Sequence, residues 1–211
     1  MIPGPELASL LEGRSLLIFD FDGTIADTSP LHEQAFREVL APLGLRVDYS
    51  RLAGRTTLDA IRDCFELNGR AQPDREVLDQ LARQKQACGR EAISARLTAF
   101  PAAAALLRWS RPNYRLSLVT SGSRATIDLA LARLGFADWF DPILTADDLE
   151  QAKPDPRGFL QAVQIFGGAP EQTLVFEDSA AGFEAARRAG LDVVDATRLE
   201  SMMIKGAADG D

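Results

Sequence analysis

Two acidic side chains stand directly after an apolar run near the start of the chain. The stretch "LLIFDFDGTIADT", residues 16 to 28, places Asp20 and Asp22 two positions apart after four apolar residues. Apolar runs of this length, ended by turn residues, are typical of buried strands in a parallel sheet. Carboxylates at the end of such a strand can bind a cation, attack an electrophile or exchange a proton. The pair therefore indicates chemistry, although a turn or a helix cap also uses such acids.

Polar side chains also follow the later apolar runs. Because the carboxyl ends of parallel strands meet at one edge of a sheet, we expect these side chains to share one crevice with the first pair. They are Thr120 with Ser121 and Gly122 after the second run, Lys153 in "AKPDP" after the third, and Glu177 with Asp178 at the end of the fourth.

The residue types in this predicted crevice suit a phosphate ester and a metal ion. Four carboxylates in one place repel each other unless a cation joins them, and carboxylate oxygens are ligands for a hard ion such as Mg²⁺. Lys153 and Thr120 carry donors for phosphate oxygens, and Gly23 permits a sharp turn whose N–H groups face an anion. Each residue alone has an ordinary role in a turn or a cap; the combination favours a site.

The elements that must position these residues alternate along the chain. Strands are predicted for the runs at 16–19, 115–120, 142–145, 173–177 and 192–195. Helical patterns separate the later runs, one from Ser123 as N-cap to Gly135 and one from Ser179 to Gly190. This alternation predicts an α/β fold, a doubly wound parallel sheet with a Rossmann-like core.

The first and second predicted strands are separated by about 95 residues, far more than a crossover needs. Apolar residues in this interval recur at helical spacing. They are Leu31, Ala35, Phe36, Val39, Leu40 and Leu43, then Leu58, Ile61 and Phe65, then Val77, Leu78 and Leu81. We therefore expect an all-helical cap over 27–98 inserted into a catalytic core of 1–26 and 99–211. A cap that leaves the core beside a strand end is expected to act as a lid.

Composition limits the function classes. The 211 residues carry a net charge of -8, which disfavours nucleic acid and anionic membranes as partners. No apolar run has membrane-spanning length, and the first residues lack the basic segment and cleavage site of a signal peptide. Cys64 and Cys88 have no CxxC spacing and are predicted to be buried thiols in a reducing compartment rather than disulfide partners. We expect a cytoplasmic monomer.

The motif set resembles the haloacid dehalogenase-like superfamily over nearly the whole chain. Its four motifs appear in order: Asp20-Phe21-Asp22-Gly23-Thr24, then Thr120, Lys153, and Glu177-Asp178. The helical insert resembles the cap of the beta-phosphoglucomutase and phosphoglycolate phosphatase branch, and "FEDSAAGFEAARRAGL" is similar to the fourth-motif helix of that branch.

The resemblance implies a role for each motif residue. Asp20 would be the nucleophile that forms an aspartyl-phosphate, and Asp22 the general acid and base. Mg²⁺ would be held by Asp20, Asp178 and the backbone carbonyl of Asp22, with Glu177 assisting directly or through water. The residues implied to bind the substrate's phosphoryl group are Lys153 and Thr120, supported by Gly23, Thr24, Ser121 and Gly122.

The resemblance also implies substrate contacts from the insert. His32 in "DTSPLH", Arg55 in "AGRTT" and Lys85 in "RQKQ" match cap positions that meet substrate in the family. Solvated or packed side chains are the alternative for all three. Mutases of the branch have an arginine where this chain has Thr57, which disfavours a second phosphate site.

The function expected from these features is a Mg²⁺-dependent phosphatase of a small phosphorylated metabolite, such as a sugar phosphate or phosphoglycolate. The alternative is a beta-phosphoglucomutase-like phosphomutase. Asp22 disfavours carbon–halogen cleavage, which needs no proton donor there. A phospho-receiver domain is a remote alternative. In a receiver domain the phosphorylated Asp follows the third strand, whereas no acid closely follows the third predicted strand of this chain.

Overall fold

The structure is a computed structural model that describes residues 1–52 and 55–206. The chain divides into two compact units. One contains residues 1–27 and the chain from residue 98 onward, and the other contains residues 28–97. Every strand of the described residues belongs to the first unit, here called the core unit, and helices build the second, the insert unit.

The strands of the core unit form two sheets. In chain order they are β1 (Ile2–Pro3), β2 (Leu16–Phe19), β3 (Arg115–Val119), β4 (Ile143–Leu144), β5 (Thr173–Glu177), β6 (Asp192–Asp195) and β7 (Met203–Ile204). Five of them make an entirely parallel sheet in the order β4-β3-β2-β5-β6, and β1 pairs with β7 in antiparallel fashion. The strand order reverses at β2, so the predicted doubly wound sheet is confirmed.

The helices separate these strands and fill the insert. They are α1 (Pro5–Leu11), α2 (Ser29–Leu40), α3 (Thr57–Leu67), α4 (Arg75–Arg96), α5 (Pro101–Ser110), α6 (Arg124–Leu134), α7 (Arg157–Phe166), α8 (Ala180–Arg188) and α9 (Leu199–Met202). Three-residue 3-10 turns lie at Ala41–Leu43, Tyr49–Arg51, Pro170–Gln172 and Ala196–Arg198.

Strand β2 is buried on both faces, which explains its unbroken apolar run. Its alternate residues point to opposite sides of the sheet. Leu16 and Ile18 belong to a core cluster with Phe159 of α7 and residues of α8. On the other face, Phe19 stacks on Phe176 with ring centroids 4.6 Å apart.

Strand β4 is shorter than the predicted run 142–145 because neither Pro142 nor Thr145 donates a backbone N–H to a neighbouring strand. Pro142 has no N–H to donate to the ladder. The Thr145 N–H donates to the Asp148 carboxylate at 2.8 Å instead of to a neighbouring strand. Only Ile143 and Leu144 therefore pair as a strand. Strand β3 likewise ends one residue before the predicted Thr120.

The two predicted N-caps differ. Ser179 caps α8, because its hydroxyl accepts from Gly182 N at 3.0 Å. Ser123 occupies the N-cap position of α6, but its side chain accepts no backbone N–H of the helix. Ser123 is therefore the N-cap residue, as predicted, but forms no side-chain cap bond; Arg124 N, at the first helical position, donates to Asp147 Oδ2 of a neighbouring loop at 2.8 Å.

The insert unit packs α2, α3 and α4 around its own apolar cluster. That cluster includes Phe36, Leu40, Leu52, Ile61, Cys64, Leu78 and Leu81. Two residues assigned to these faces are instead exposed, Leu43 at 41% and Val77 at 40%. Leu43 lies in a 3-10 turn beyond the end of α2, where the α-helical spacing no longer applies. Val77 lies in the first turn of α4, beside the buried face rather than on it.

The cysteines differ in exposure. Cys64 is buried, and burial raises the pKa of its thiol to about 11. Cys88 is half-buried, so the prediction of burial was wrong for this residue.

Among the described residues, no helix has both the length and the apolar character needed to cross a membrane.

Candidate active site

A buried lysine joins two carboxylates at the carboxyl edge of the parallel sheet. Asp20 follows β2, Glu177 ends β5, and Lys153 comes from the segment between β4 and α7. The Lys153 ammonium donates to Asp20 Oδ1 at 2.5 Å and to Glu177 Oε2 at 2.7 Å. No side chain of the three is more than 9% exposed. The parallel register of β2 and β5 brings residues 157 positions apart in the chain to one ammonium group.

The second oxygen of Glu177 is also occupied. Glu177 Oε1 accepts from Asp178 N at 3.1 Å, Ser179 N at 3.0 Å and Ser179 Oγ at 2.8 Å. Gly182 closes the remaining side, because a Cβ atom on it would lie 2.0 Å from Glu177 Cδ. Glu177 is therefore fixed by the first turn of α8.

The turn after β2 holds Asp178. The carbonyl of Phe21 accepts from the N–H groups of Ile25 and Ala26, and Gly23 takes a φ of +80° within this turn. The Thr24 hydroxyl donates to Asp178 Oδ1 at 3.1 Å. A Cβ atom on Gly23 would lie 2.1 Å from Asp178 Oδ2, so only glycine fits. Gly23 and Thr24, assigned to substrate binding from the sequence, contact a carboxylate here.

Burial and like charges shift the protonation equilibria of this cluster. Burial raises the pKa of Asp20 well above its ordinary value, and the Glu177 and Asp22 carboxylates add to that effect while Lys153 opposes it. Burial, and then the charge of Glu177, raises the pKa of Asp178 to about 6. Burial alone would lower the pKa of Lys153, but Asp20 and Glu177 together raise it above its ordinary value.

These carboxylates have the composition and spacing of a hard-cation site. One oxygen each from Asp20, Glu177 and Asp178 lies within 4.8 Å of the others. The pKa values of Asp20 and Asp178 are raised first by burial and then by the neighbouring carboxylates, so a negative charge on either group is destabilised here despite Lys153. A divalent cation would relieve this repulsion, so the donor set fits Mg²⁺.

The segment after β3 forms a tight turn in which a backbone N–H binds the hydroxyl of Thr120. Thr120 is buried, and its Oγ1 accepts from Gly122 N at 3.0 Å. Ser121, between them, is exposed. Strand β3 is the direct neighbour of β2, so Thr120 and Asp20 end adjacent strands. Asp22, two residues beyond Asp20, is half-buried.

The insert unit brings two of its three predicted site residues together. The Lys85 ammonium lies 3.1 Å from His32 Nδ1 and 4.5 Å from the centroid of the Phe36 ring. Lys85 is 6% exposed. Arg55 instead forms an ion pair with Asp63, with 2.9 Å between Nε and Oδ2. Substrate contact by these residues stays a prediction.

Three residues of the site were missed in the sequence. Ser179 binds Glu177 in addition to capping α8, Gly182 gives Glu177 its space, and the Phe159 ring lies 5.3 Å from the Lys153 ammonium. The motif "EDSAAG" contains a signal for the first two: a glycine in the first turn of a helix lowers helix stability and so suggests a close neighbour. Phe159 carried no signal beyond its apolar periodicity.

Comparison with known proteins shows extensive similarity. The family model for haloacid dehalogenase-like hydrolases matches residues 15–190. Fructose-1-phosphate phosphatase YqaB of Escherichia coli is 37% identical over 188 residues, which cover 87% of this chain and 96% of that protein.

Two solved structures are similar over most of their length. The crystal structure of CbbY from Rhodobacter sphaeroides in complex with phosphate has a TM-score of 0.75 and 26% identity, and the match covers 85% of this chain and 84% of that one. Beta-phosphoglucomutase from Clostridium difficile has a TM-score of 0.76 and 26% identity, with coverage of 86% and 84%.

Proposed function

This chain belongs to the haloacid dehalogenase-like hydrolases, and we propose that it is a Mg²⁺-dependent phosphatase of a small sugar phosphate. The observation that carries the proposal is the buried contact of Lys153 with both Asp20 and Glu177, with the Asp178 carboxylate beside them. This arrangement supports the proposal because phosphoryl transfer requires a nucleophile, a positive charge and carboxylates that can hold a metal ion.

The first step forms a phosphoenzyme on Asp20. An Asp20 carboxylate oxygen attacks phosphorus, and the bond between phosphorus and the ester oxygen breaks. The carboxyl group of Asp22 gives its proton to the departing oxygen, so the product leaves as an alcohol rather than as an alkoxide. The half-buried position of Asp22, two residues beyond Asp20, supports this role.

The second step restores the enzyme. The Asp22 carboxylate takes a proton from water, whose oxygen attacks the phosphorus of the aspartyl-phosphate. The bond between phosphorus and the Asp20 oxygen breaks, and inorganic phosphate is released. Asp22 ends protonated and Asp20 ends as a carboxylate, ready for another substrate.

Phosphoryl oxygens would be bound by the remaining polar groups of the crevice. Lys153 supplies a fixed positive charge, the Thr120 hydroxyl and the Ser121 N–H are proposed as further donors, and the Gly122 N–H orients the Thr120 hydroxyl. Mg²⁺ held by Asp20, Asp178 and the Asp22 carbonyl would supply the charge that offsets repulsion between the nucleophile and the phosphoryl group. Both oxygens of Glu177 already accept hydrogen bonds, which supports an indirect role for Glu177.

The substrate class is proposed from the relatives. The chain is 37% identical to a fructose-1-phosphate phosphatase, which supports a sugar phosphate as substrate. Selection among sugar phosphates is assigned to the insert, with His32, Lys85 and Arg55 as the residues to vary first. The similarity to a beta-phosphoglucomutase keeps phosphomutase activity as the second candidate.

A phosphate-release screen over sugar phosphates and phosphoglycolate tests the proposal. We expect Mg²⁺-dependent release that is lost in Asp20→Asn and retained in Asp138→Asn, which removes an exposed carboxylate of the same unit. Isomerised hexose phosphate without release would favour the mutase. Full activity in Asp20→Asn, or no turnover of any phosphate ester, would contradict both.

A further inference from the structure

We propose that Asp148 is a positioning residue, which with Arg124 and Thr145 fixes the two segments that carry Lys153 and Thr120. The proposal rests on the phosphatase function above, because it concerns the placement of groups assigned to the phosphoryl site. None of the contacts of Asp148 described below involves Asp20, Glu177 or Lys153, so any effect of Asp148 on them is transmitted through the chain.

Asp148 is bound from two sides. Its Oδ2 accepts from Thr145 N at 2.8 Å and from Thr145 Oγ1 at 2.7 Å, which closes a tight loop after β4. The same oxygen accepts from Arg124 Nη2 at 2.7 Å, and that nitrogen also donates to Ile143 O at 2.7 Å. Thr145 is completely buried, so loss of the Asp148 acceptor would leave the O–H donor of its hydroxyl unpaired in the interior, although its oxygen still accepts from Asp147 N.

The loop after β4 is also bonded to the segment that follows Thr120. Ala146 N donates to Gly122 O at 3.0 Å, and Asp147 Oδ2 accepts from Arg124 N at 2.8 Å. Together with the Asp148–Arg124 contact, these bonds join residues 145–148 to residues 122–124. Displacement of Asp148 would therefore disturb the turn in which Gly122 N binds the Thr120 hydroxyl.

On its other side, Asp148 adjoins the segment that carries Lys153. Leu149 packs in the core, where a Cβ atom on Gly158 would lie 3.0 Å from both Leu149 Cδ1 and Val119 Cγ1. Residues 149 and 158 are thus held together, and the chain between them is a closed loop that contains Lys153. Arg157 adds ion pairs within this loop, to Glu150 at 2.8 Å and to Asp155 at 2.9 Å.

The Lys153 ammonium tolerates little displacement of this loop. It lies within 2.7 Å of both Asp20 and Glu177. If the ammonium group moves away from either carboxylate, its position relative to the nucleophile Asp20 changes. Misplacement of a catalytic group by about 1 Å costs about 100-fold in rate. Asp148, at the start of the loop, is well placed to prevent such a shift.

A pair of matched variants isolates this role. Asp148→Asn and Asp128→Asn each remove one negative charge facing Arg124, but Asp128 lies on α6 itself, 4.0 Å from Nη1 and more than half exposed. We expect Asp148→Asn to lower kcat by about 10-fold or more, with a smaller change in KM, because alignment of Lys153 affects the bond-forming step. Asp128→Asn should stay within about twofold of the unmodified protein.

A second readout does not depend on turnover. The chain has only three lysines, at positions 85, 153 and 205, so nitrogen-15 NMR of the lysine ammonium groups gives a simple spectrum. The buried Lys153 signal is identified by its loss in Lys153→Arg. We expect Asp148→Asn to shift or broaden the Lys153 signal and Asp128→Asn to leave it in place.

A third pair of variants tests the proposal even if Asp148→Asn fails to fold. Thr145→Val removes the hydroxyl that binds Asp148, and Thr145→Ser keeps it; we expect the first to behave like Asp148→Asn and the second like the unmodified protein. A Lys153 signal and a kcat equal to those of Asp128→Asn in both Asp148→Asn and Thr145→Val would overturn the proposal. If the unmodified protein hydrolyses no phosphate ester, the proposed function fails, and the NMR comparison alone decides the role of Asp148.

Discussion

Gly182 lies against the carboxylate of Glu177 so closely that a Cβ atom on the glycine would be 2.0 Å from Glu177 Cδ. The same turn of α8 supplies Ser179, whose N–H and hydroxyl both donate to Glu177 Oε1. The partner of Lys153 is therefore fixed by a glycine inside a helix, a position where glycine is otherwise unfavourable. The location of Glu177 thus depends on the absence of a side chain.

The close approach predicts that Gly182→Ala destabilises the protein. Helix propensity alone favours alanine by about 1 kcal/mol, but the added methyl group must displace a buried carboxylate that accepts four hydrogen bonds. Overpacking of this kind costs about 1–3 kcal/mol. We expect a lower free energy of unfolding in urea and a loss of phosphate release, because Lys153 loses its second anchor.

Gly89→Ala is the matched control for Gly182→Ala. Gly89 lies within α4, and its nearest neighbours would be 3.9 Å from an added Cβ atom, an ordinary contact distance. Alanine should fit there and stabilise the helix by about 0.5–1 kcal/mol. The two Gly→Ala variants should thus shift stability in opposite directions; equal stabilisation by both would show that Glu177 has room to move.

The carboxylate cluster predicts a stabilising effect of Mg²⁺ that needs no substrate. Mg²⁺ at millimolar concentration should raise the thermal midpoint of the unmodified protein, because the ion binds only the folded arrangement of Asp20 and Asp178. Asp178→Asn should abolish this shift. Without metal, Asp178→Asn should melt above the unmodified protein, since it removes a carboxylate whose burial, and then its repulsion by Glu177, raises its pKa. Differential scanning calorimetry, with and without a chelator, measures both effects.

Asp138→Asn controls for the change in net charge in this experiment. Asp138 is exposed, so its replacement should leave the Mg²⁺-dependent shift intact and the metal-free midpoint within experimental error. A Mg²⁺ shift that persists in Asp178→Asn would place the ion elsewhere and contradict the assignment.

The hydroxyl of Thr24 predicts a graded effect on metal affinity. It donates to Asp178 Oδ1 at 3.1 Å and is buried, so Thr24→Val preserves the shape and removes the donor. Loss of a hydrogen bond that orients a metal ligand weakens affinity by about 10–100-fold. Calorimetric titration of Mg²⁺ should show that loss in Thr24→Val and near-normal affinity in Thr24→Ser. Equal affinities for the two variants would mean that the hydroxyl does not orient Asp178.

The sequence predicts the parallel sheet because its central strands β2 and β5 are buried on both faces, whereas the edge strand β6 is only partly buried. The runs at 16–19, 173–177 and 192–195 match β2, β5 and β6, since continuous apolar segments bounded by turn residues have few other uses. The fold then assembles Asp20, Lys153 and Glu177 because parallel strands end at one edge. Strands β1 and β7, of two residues each, carry no periodic pattern and were missed for that reason.

The details that were not predictable depend on contacts between distant segments. Asp147 binds the N–H of Arg124, the first residue of α6, and it does so from a loop 23 residues later in the chain. Gly23 and Gly182 are recognisable as glycines in the sequence, but the carboxylates they accommodate are identified only in three dimensions. Local patterns thus predicted the elements, and packing between them determined which side chain binds which.

The contribution of Asp148 to the free energy of unfolding should depend on pH. The Thr145 hydroxyl, then the Thr145 N–H and Arg124, hold the pKa of Asp148 below its ordinary value of 3.8. A carboxyl with a lower pKa in the folded state stabilises the fold above its unfolded pKa, and this stabilisation is lost as the pH falls through the folded value. Because Asp148 is about one third exposed and its charge is screened, we expect Asp148→Asn to cost up to about 1 kcal/mol at pH 7 and progressively less below about pH 4.

Urea unfolding at pH 7, 5 and 3.5 measures this difference for Asp148→Asn, Asp128→Asn and the unmodified protein. Asp128 is more than half exposed and 4.0 Å from Arg124, so its replacement should cost less than about 0.5 kcal/mol at every pH. The gap between Asp148→Asn and the unmodified protein should narrow at pH 3.5, because Asp148 of the unfolded chain is then largely protonated while the folded state resists protonation. A gap that is constant from pH 7 to 3.5 would show that the carboxylate form has no special stability in this loop.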